Sequence, residues 1–230
     1  PFLKKAATLS PHSAEVASQL SQTLLNLGYL DEAEGFLEQA RSQWPGDHNI
    51  AYTQAKVFIA QNRKNDALLP LEVAVKARNA PKEWFMLYAE TLVGDVQLVF
   101  AREGKVDYTR LVNAKQALEK VLAFDPDHRG AQVLLAEVLL AKGEYEAALV
   151  IYQSLMEGMD SSSSGKDWRI RTGFGKAALQ LGKVDAALAS LQSAANIQPN
   201  QAGILQLLAE AYRAAVLPKE AMQEANRVLK

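Results

Sequence analysis

Along this chain, apolar side chains recur at i, i+3, i+4 and i+7 within stretches of about a dozen residues, the spacing of an amphipathic helix. "AEVASQLSQTLLNLGYLDEAEGFLEQARSQWP", from Ala14, holds two such stretches joined at Gly28. The pattern predicts antiparallel helix pairs, each helix with one apolar stripe to bury. Gly28, Gly143 and Gly182 fall where the first helix of a pair must stop and turn, because glycine accepts the left-handed cap. Pro45, Pro126 and Pro199 close second helices, since proline cannot continue the hydrogen-bond ladder.

Aligning the stretches from Ala14, Ala131 and Ile204 reveals a 34-residue unit that begins at about 14, 48, 82, 129, 168 and 202. Unit position 20 is then Ala33, Ala67, Ala114, Ala148, Ala187 and Ala221. Position 8 is always small: Ser21, Ala55, Ala89, Ala136, Gly175 and Ala209. Position 24 is Leu37, Leu71, Leu118, Tyr152, Leu191 and Ala225. Small side chains at 8 and 20 let two helices approach closely. One helix pair cannot bury its own stripe, so neighbouring units must stack. The repeats span 14–47, 48–81, 82–128, 129–167, 168–201 and a truncated 202–230. Residues 1–13 read as the second helix of a truncated preceding repeat, so the chain reads as a segment of a longer protein.

At these positions the sequence resembles the tetratricopeptide repeat family, whose pattern has small residues at 8, 20 and 27, large apolar ones at 4, 7, 11 and 24, and proline at 32. Departures are local. Position 27 is Ala40, Ala74 and Ala194 but Val121, Leu155 and Val228 elsewhere, and position 4 lacks the family's tryptophan. The resemblance implies an all-α, right-handed superhelical solenoid of antiparallel helix pairs. It also implies a concave face lined by positions 2, 5, 9, 12 and 13, where relatives bind peptides.

Two intervals break the register. Five extra residues, "SSSSG" (161–165), form a polar loop between repeats 4 and 5. In repeat 3, thirteen extra residues split into eight before Gly104 and five before Ala114. Such a split around a turn predicts that both helices are lengthened into a finger, with Val96, Val99 and Phe100 packing against Tyr108, Leu111 and Val112. The competing expectation puts the ordinary turn at Gly94-Asp95, followed by an irregular excursion.

Composition narrows the function. Lys plus Arg number 25 against 26 Asp plus Glu, giving a net charge of −1 without the basic footprint of a nucleic-acid binder. Cysteine is absent, which removes thiolate metal sites and disulfides but is compatible with any compartment. No apolar stretch is long enough to span a bilayer. His12, His48 and His128 fall at junctions a whole repeat apart, too distant to share a metal ion, and read as exposed. "GFGK" (173–176) lacks the preceding strand that a phosphate loop needs, and "GMDSSSSGKD" has the wrong spacing for one. Glu32/Glu34 and Glu144/Glu146 stand at helix starts, where acids favour the dipole, and read as solvated. With no nucleophile–base set and no cofactor motif, the expectation is a protein that is not an enzyme and takes no cofactor.

The family's carboxylate clamp is not present: its positions hold Ser18, Gln22, Thr53, Glu83 and Leu87. Binding of a peptide's terminal carboxylate is therefore disfavoured. What remains as a candidate peptide groove is Tyr52, Lys56, Ile59, Met86, Glu90, Val93, Val133, Glu137, Leu140, Thr172, Lys176, Gln206, Glu210 and Arg213. Apolar anchors with a polar rim suit a segment of a partner protein. The finger residues Val99, Phe100, Tyr108 and Leu111 are a second candidate surface. A scaffold or regulatory region serving an absent catalytic or membrane domain, and homo-oligomerisation through truncated repeat ends, are the alternative roles.

Overall fold

The computed structural model describes residues 13–157 and 167–215, and within them every regular element is an α-helix. In chain order these are α1 (Ala14–Asn26), α2 (Leu30–Gln43), α3 (His48–Ala60), α4 (Lys64–Ala74), α5 (Lys82–Glu103) and α6 (Tyr108–Phe124). They are followed by α7 (Arg129–Lys142), α8 (Tyr145–Glu157), α9 (Asp167–Gln180), α10 (Val184–Ile197) and α11 (Ala202–Ala214). The leading residues 1–12, the serine-rich loop and the second half of repeat 6 lie outside the described residues. The chain forms two compact units, Pro1–Phe124 and Asp125–Lys230.

In the first unit α1 packs on α2 and α3, α2 on α3, α3 on α4, α4 on α5, and α5 on α6. In the second, α7 packs on α8 and α9, α8 on α9, α9 on α10 and α11, and α10 on α11. Consecutive helices that pack across turns of a few residues run antiparallel, so each unit is a helical-repeat solenoid. The register determines burial. Ala33, Ala67, Ala114, Ala148 and Ala187 at position 20 are fully buried, as are Leu37, Leu71, Leu118 and Leu191 at position 24. Gly175, at position 8, has no room for a Cβ, which would meet Leu191 Cγ at 2.5 Å.

Four of the five described turns within pairs share one geometry. After α9, Gly182 (φ +71°) donates to Leu179 and Lys183 donates to Ala178, at 3.0 and 2.8 Å. This double bond returns two orphan carbonyls at the helix end to partners. The same pair of bonds follows α1, α3 and α7. After α3 the left-handed residue is Asn62 (φ 63°), the non-glycine residue best suited to that conformation. Gly182→Ala should therefore cost about 1 kcal/mol in urea unfolding, and Gly182→Asn less. Equal losses for the two would show that the cap conformation does not matter there.

Repeat 3 departs from the others as its register predicts. α5 has 22 residues where the other first helices have 13 or 14. Eight more residues add about 12 Å at 1.5 Å each. α6 has 17 residues, against 11 to 14 for the other second helices. Residues 96–103 are helical, Gly94 lies inside α5, and the turn comes at left-handed Gly104 (φ +67°). The packing expected across this hairpin needs correction, however. Val96 and Leu111 are buried, but Phe100, Tyr108 and Val112 are exposed, because the hairpin ends before it can cover them. Its interior instead holds Asp95, 1% exposed, in an ion pair with Arg110.

Candidate functional site

In the first unit, polar and aromatic contacts join the first helices along one face. Ser18 Oγ lies 3.0 Å from Thr53 Oγ1, joining α1 to α3. Lys56 Nζ donates to Gln22 Oε1 at 2.5 Å, one repeat away. Tyr52 stacks on Trp84 with ring centroids 4.9 Å apart and planes 18° from parallel, so α3 and α5 meet through rings. The Lys56 ammonium also sits 5.7 Å from the Tyr52 ring centre.

The electrostatics of this face follow from its partial burial. Burial pushes the Tyr52 phenol up, and the nearby carboxylates of Glu83 and then Glu90 add to the shift. Burial pulls the Lys56 ammonium down. Lys56 is thus a desolvated cation held by an amide oxygen and an aromatic ring. Ile59 and Met86 are half-buried, and Glu90 is exposed. Val93 is a correction: only 6% exposed, it belongs to the interior and offers nothing to a ligand.

In the second unit Val133, Glu137, Leu140 and Thr172 are half-buried, while Lys176, Gln206, Glu210 and Arg213 are exposed. Burial raises the Glu137 carboxyl, and the nearby Arg169 partly offsets this. Burial raises the Tyr152 phenol too, with Glu137 adding to it. Tyr152 lies against Gly173, where even a Cβ would come within 2.3 Å of its ring.

Other sequence candidates have structural roles. His48 is half-buried, its Nδ1 bonded to the Val73 carbonyl at 2.8 Å. His128 is half-buried as well and caps α7, its Nδ1 accepting from the Ala131 N–H at 3.1 Å. Both differ from the exposed junction residues expected: the His128 ring nitrogen supplies an acceptor at the start of α7, whereas the His48 ring N–H donates to a carbonyl in the last turn of α4. His12 lies outside the described residues. Glu34 is not merely solvated: it accepts from Gln61 at 2.7 Å and Arg63 at 2.8 Å, and these bonds hold its carboxyl below the usual range. Glu144 is paired with Lys142 at 2.5 Å.

Trp84 is a contributor that the groove positions did not single out, whereas Gln22 holds position 9 of the first unit. A signal for Trp84 exists in an aromatic residue 32 places after Tyr52, at position 3 of the next unit. On the side of α5 that meets α4 and α6, a recess of about 230 Å³ is lined by residues including Val75, Phe85, Tyr88 and Ala117. Among the described residues no helix is long and apolar enough to cross a membrane, and no three His, Asp or Glu side chains are grouped to hold a metal.

Two tetratricopeptide repeat models match residues 106–162 and 172–230, together just over half of the chain. No curated protein matches by sequence. Among solved structures, YrrB, a TPR protein with an unusual peptide-binding site, superposes with a TM-score of 0.74 at 17% identity, over 89% of this chain and 96% of that one. MamA superposes with a TM-score of 0.59 at 16% identity, over 76% of this chain and 92% of its own. The Cut9–Hcn1 hetero-tetramer of the APC/C superposes at 0.59 with 15% identity, over 99% of this chain but 42% of that one.

Proposed function

We propose that this chain, which belongs to the tetratricopeptide repeat family, is a non-catalytic scaffold that holds a partner polypeptide segment against its first-helix face. The observation that carries the reading is the stacked Tyr52–Trp84 pair between α3 and α5, with Lys56, bonded to Gln22, beside the Tyr52 ring. An aromatic anchor that is half-buried and rimmed by polar groups is the usual energetic centre of a protein interface. The likeness to YrrB, itself a peptide-binding TPR protein, lends support at the level of the fold.

Immobilised wild-type chain should recover a partner that Tyr52→Ala/Met86→Ala loses by at least tenfold, with both forms shown equally folded by circular dichroism. Equal recovery by the two would overturn the groove reading. The end of the repeat-3 hairpin is a second surface, supported by Leu98, Phe100, Tyr108 and Val112, which are 39–60% exposed. Large apolar side chains left in water together favour a contact. Phe100→Ser/Tyr108→Ser in the same capture separates the two surfaces.

A further inference from the structure

We infer that repeat 3 carries a further docking site, the recess between α4, α5 and α6, which takes one Trp or Tyr side chain of a partner segment that has an acidic residue beside it. The site lies outside the groove positions, so it stands whether or not the first-helix face binds a peptide. Phe85 and Tyr88 of α5 line it, with Val75 of α4 and Ala117 of α6. Ala117 leaves it open. It holds unit position 23, where repeats 1, 2 and 4 have the larger Phe36, Pro70 and Ile151. Tyr88 and Ala117 are buried while Val75 and Phe85 are half-buried, so the apolar lining reaches the surface.

Size, polarity and charge fix the occupant. At about 230 Å³ the recess exceeds the ~150 Å³ in which an apolar cavity holds a benzene ring. It is smaller than the roughly 300–1,000 Å³ of cofactor and drug-sized ligand sites, so one ring fits and a cofactor does not. Asn113 and Gln116 add amides to the lining. Asn113 hydrogen-bonds Tyr88, whereas Gln116 is exposed and has no side-chain bond among the described residues. An amphipathic ring, whose O–H or N–H needs a partner once its apolar body is buried, matches both features.

Two lining residues are ionisable, Glu72 and Lys120. Glu72 has its counter-ion, Lys76, at 2.9 Å, whereas exposed Lys120 has no ion pair among the described residues. At about 100° per residue, Lys115 and Glu119 project from other sides of α6. Lys82, a turn before Phe85 on α5, has an interaction of its own. The charge left to be met is the Lys120 ammonium, and a carboxylate next to the incoming ring meets it. Such a rim charge sets partner choice and encounter rate more than total affinity.

Titrating the intact chain with two blocked dipeptides, tryptophan followed by glutamate or by lysine, tests this through the side-chain amide NMR signals of Asn113 and Gln116. Both probes should shift those signals, with Kd on the order of millimolar for so small a ligand. The acidic probe should bind at least threefold more tightly, and Lys120→Gln, at an exposed position, should remove that preference. Ala117→Ile installs the residue type that repeat 4 carries at position 23. It should fill the recess and weaken both probes at least fivefold, with folding matched by circular dichroism. Tyr52→Ala should change either Kd less than twofold. No shift at the two amides, or equal Kd for the two probes, would overturn the inference. Probes weakened by Tyr52→Ala but indifferent to Ala117→Ile would also overturn it, since the ring would then sit in the groove. Indole alone binding as tightly as the acidic probe would give the recess to a free small molecule, and a dimer lost with Ala117→Ile would give it to a second copy; either result displaces the partner segment.

Discussion

Replacing Arg110 with methionine is expected to destabilise the repeat-3 hairpin by about 3 kcal/mol. Asp95 is 1% exposed, and its carboxylate is paired with Arg110 across the hairpin. Arg110 is also bound by Asp107 at 3.3 Å, and Asp107 accepts from the Arg110 N–H at 3.1 Å, starting α6. Removing the guanidinium leaves a buried charge without its counter-ion, which costs far more than an intact pair contributes. The loss is set at the low end of the usual 3–5 kcal/mol range because the Arg110 side chain is 35% exposed, so water can reach part of the site. Asp95→Leu/Arg110→Met removes both charges and should recover most of that loss, because apolar packing replaces the pair without stranding either member. Urea unfolding gives the energies, and amide exchange over residues 96–110 locates them. A loss below 1 kcal/mol in the single variant would mean that the pair does not hold the hairpin.

This pair also marks where reading the chain as text stops working. The repeat register was legible because it depends on one side chain at a time. Alanine at position 20 and leucine at 24 are selected by local volume, and the structure buries them. The lengthened hairpin was legible as well, since an insertion divided around a glycine keeps both helical periods intact. Which side chains it buries was not. "GD" at 94–95 has the composition of a turn, yet Asp95 is interior because Arg110, fifteen residues later, returns to meet it. Phe100 looks like core by composition and is exposed, for it lies past the last residue that can cover it. Contacts between repeats are similarly hidden: Glu34 finds Arg63 and Gln61 only once α2 and α3 pack. At the candidate site the register located Tyr52, Lys56 and Gln22, but Trp84 and the contacts that join these residues depend on how α1, α3 and α5 lie together.

Gly173→Ala is expected to be the most damaging single methyl group that can be added to the second unit. Its Cβ would lie 2.3 Å from Tyr152 Cζ, 2.5 Å from Oη and 2.7 Å from Cε1. Tyr152 is 1% exposed, so the ring has no solvent to swing into and the backbone of α9 must move. Alanine is otherwise the better helix former, by roughly 1 kcal/mol. Overpacking outweighs that gain, and a net loss of about 2 kcal/mol is expected. The cause is specific to this repeat. Position 24 is leucine at Leu37, Leu71, Leu118 and Leu191, and the larger Tyr152 fits because position 6 of the next unit has no side chain. Tyr152→Leu removes the clashing ring atoms, so Gly173→Ala should cost little or even stabilise in that background. Tyr152→Leu alone leaves a void over Gly173 and should itself destabilise. A double-mutant cycle by urea unfolding should thus give a coupling of at least 1 kcal/mol that favours the paired change. Additive losses would instead show that Gly173 is required by the backbone and not by the tyrosine it faces.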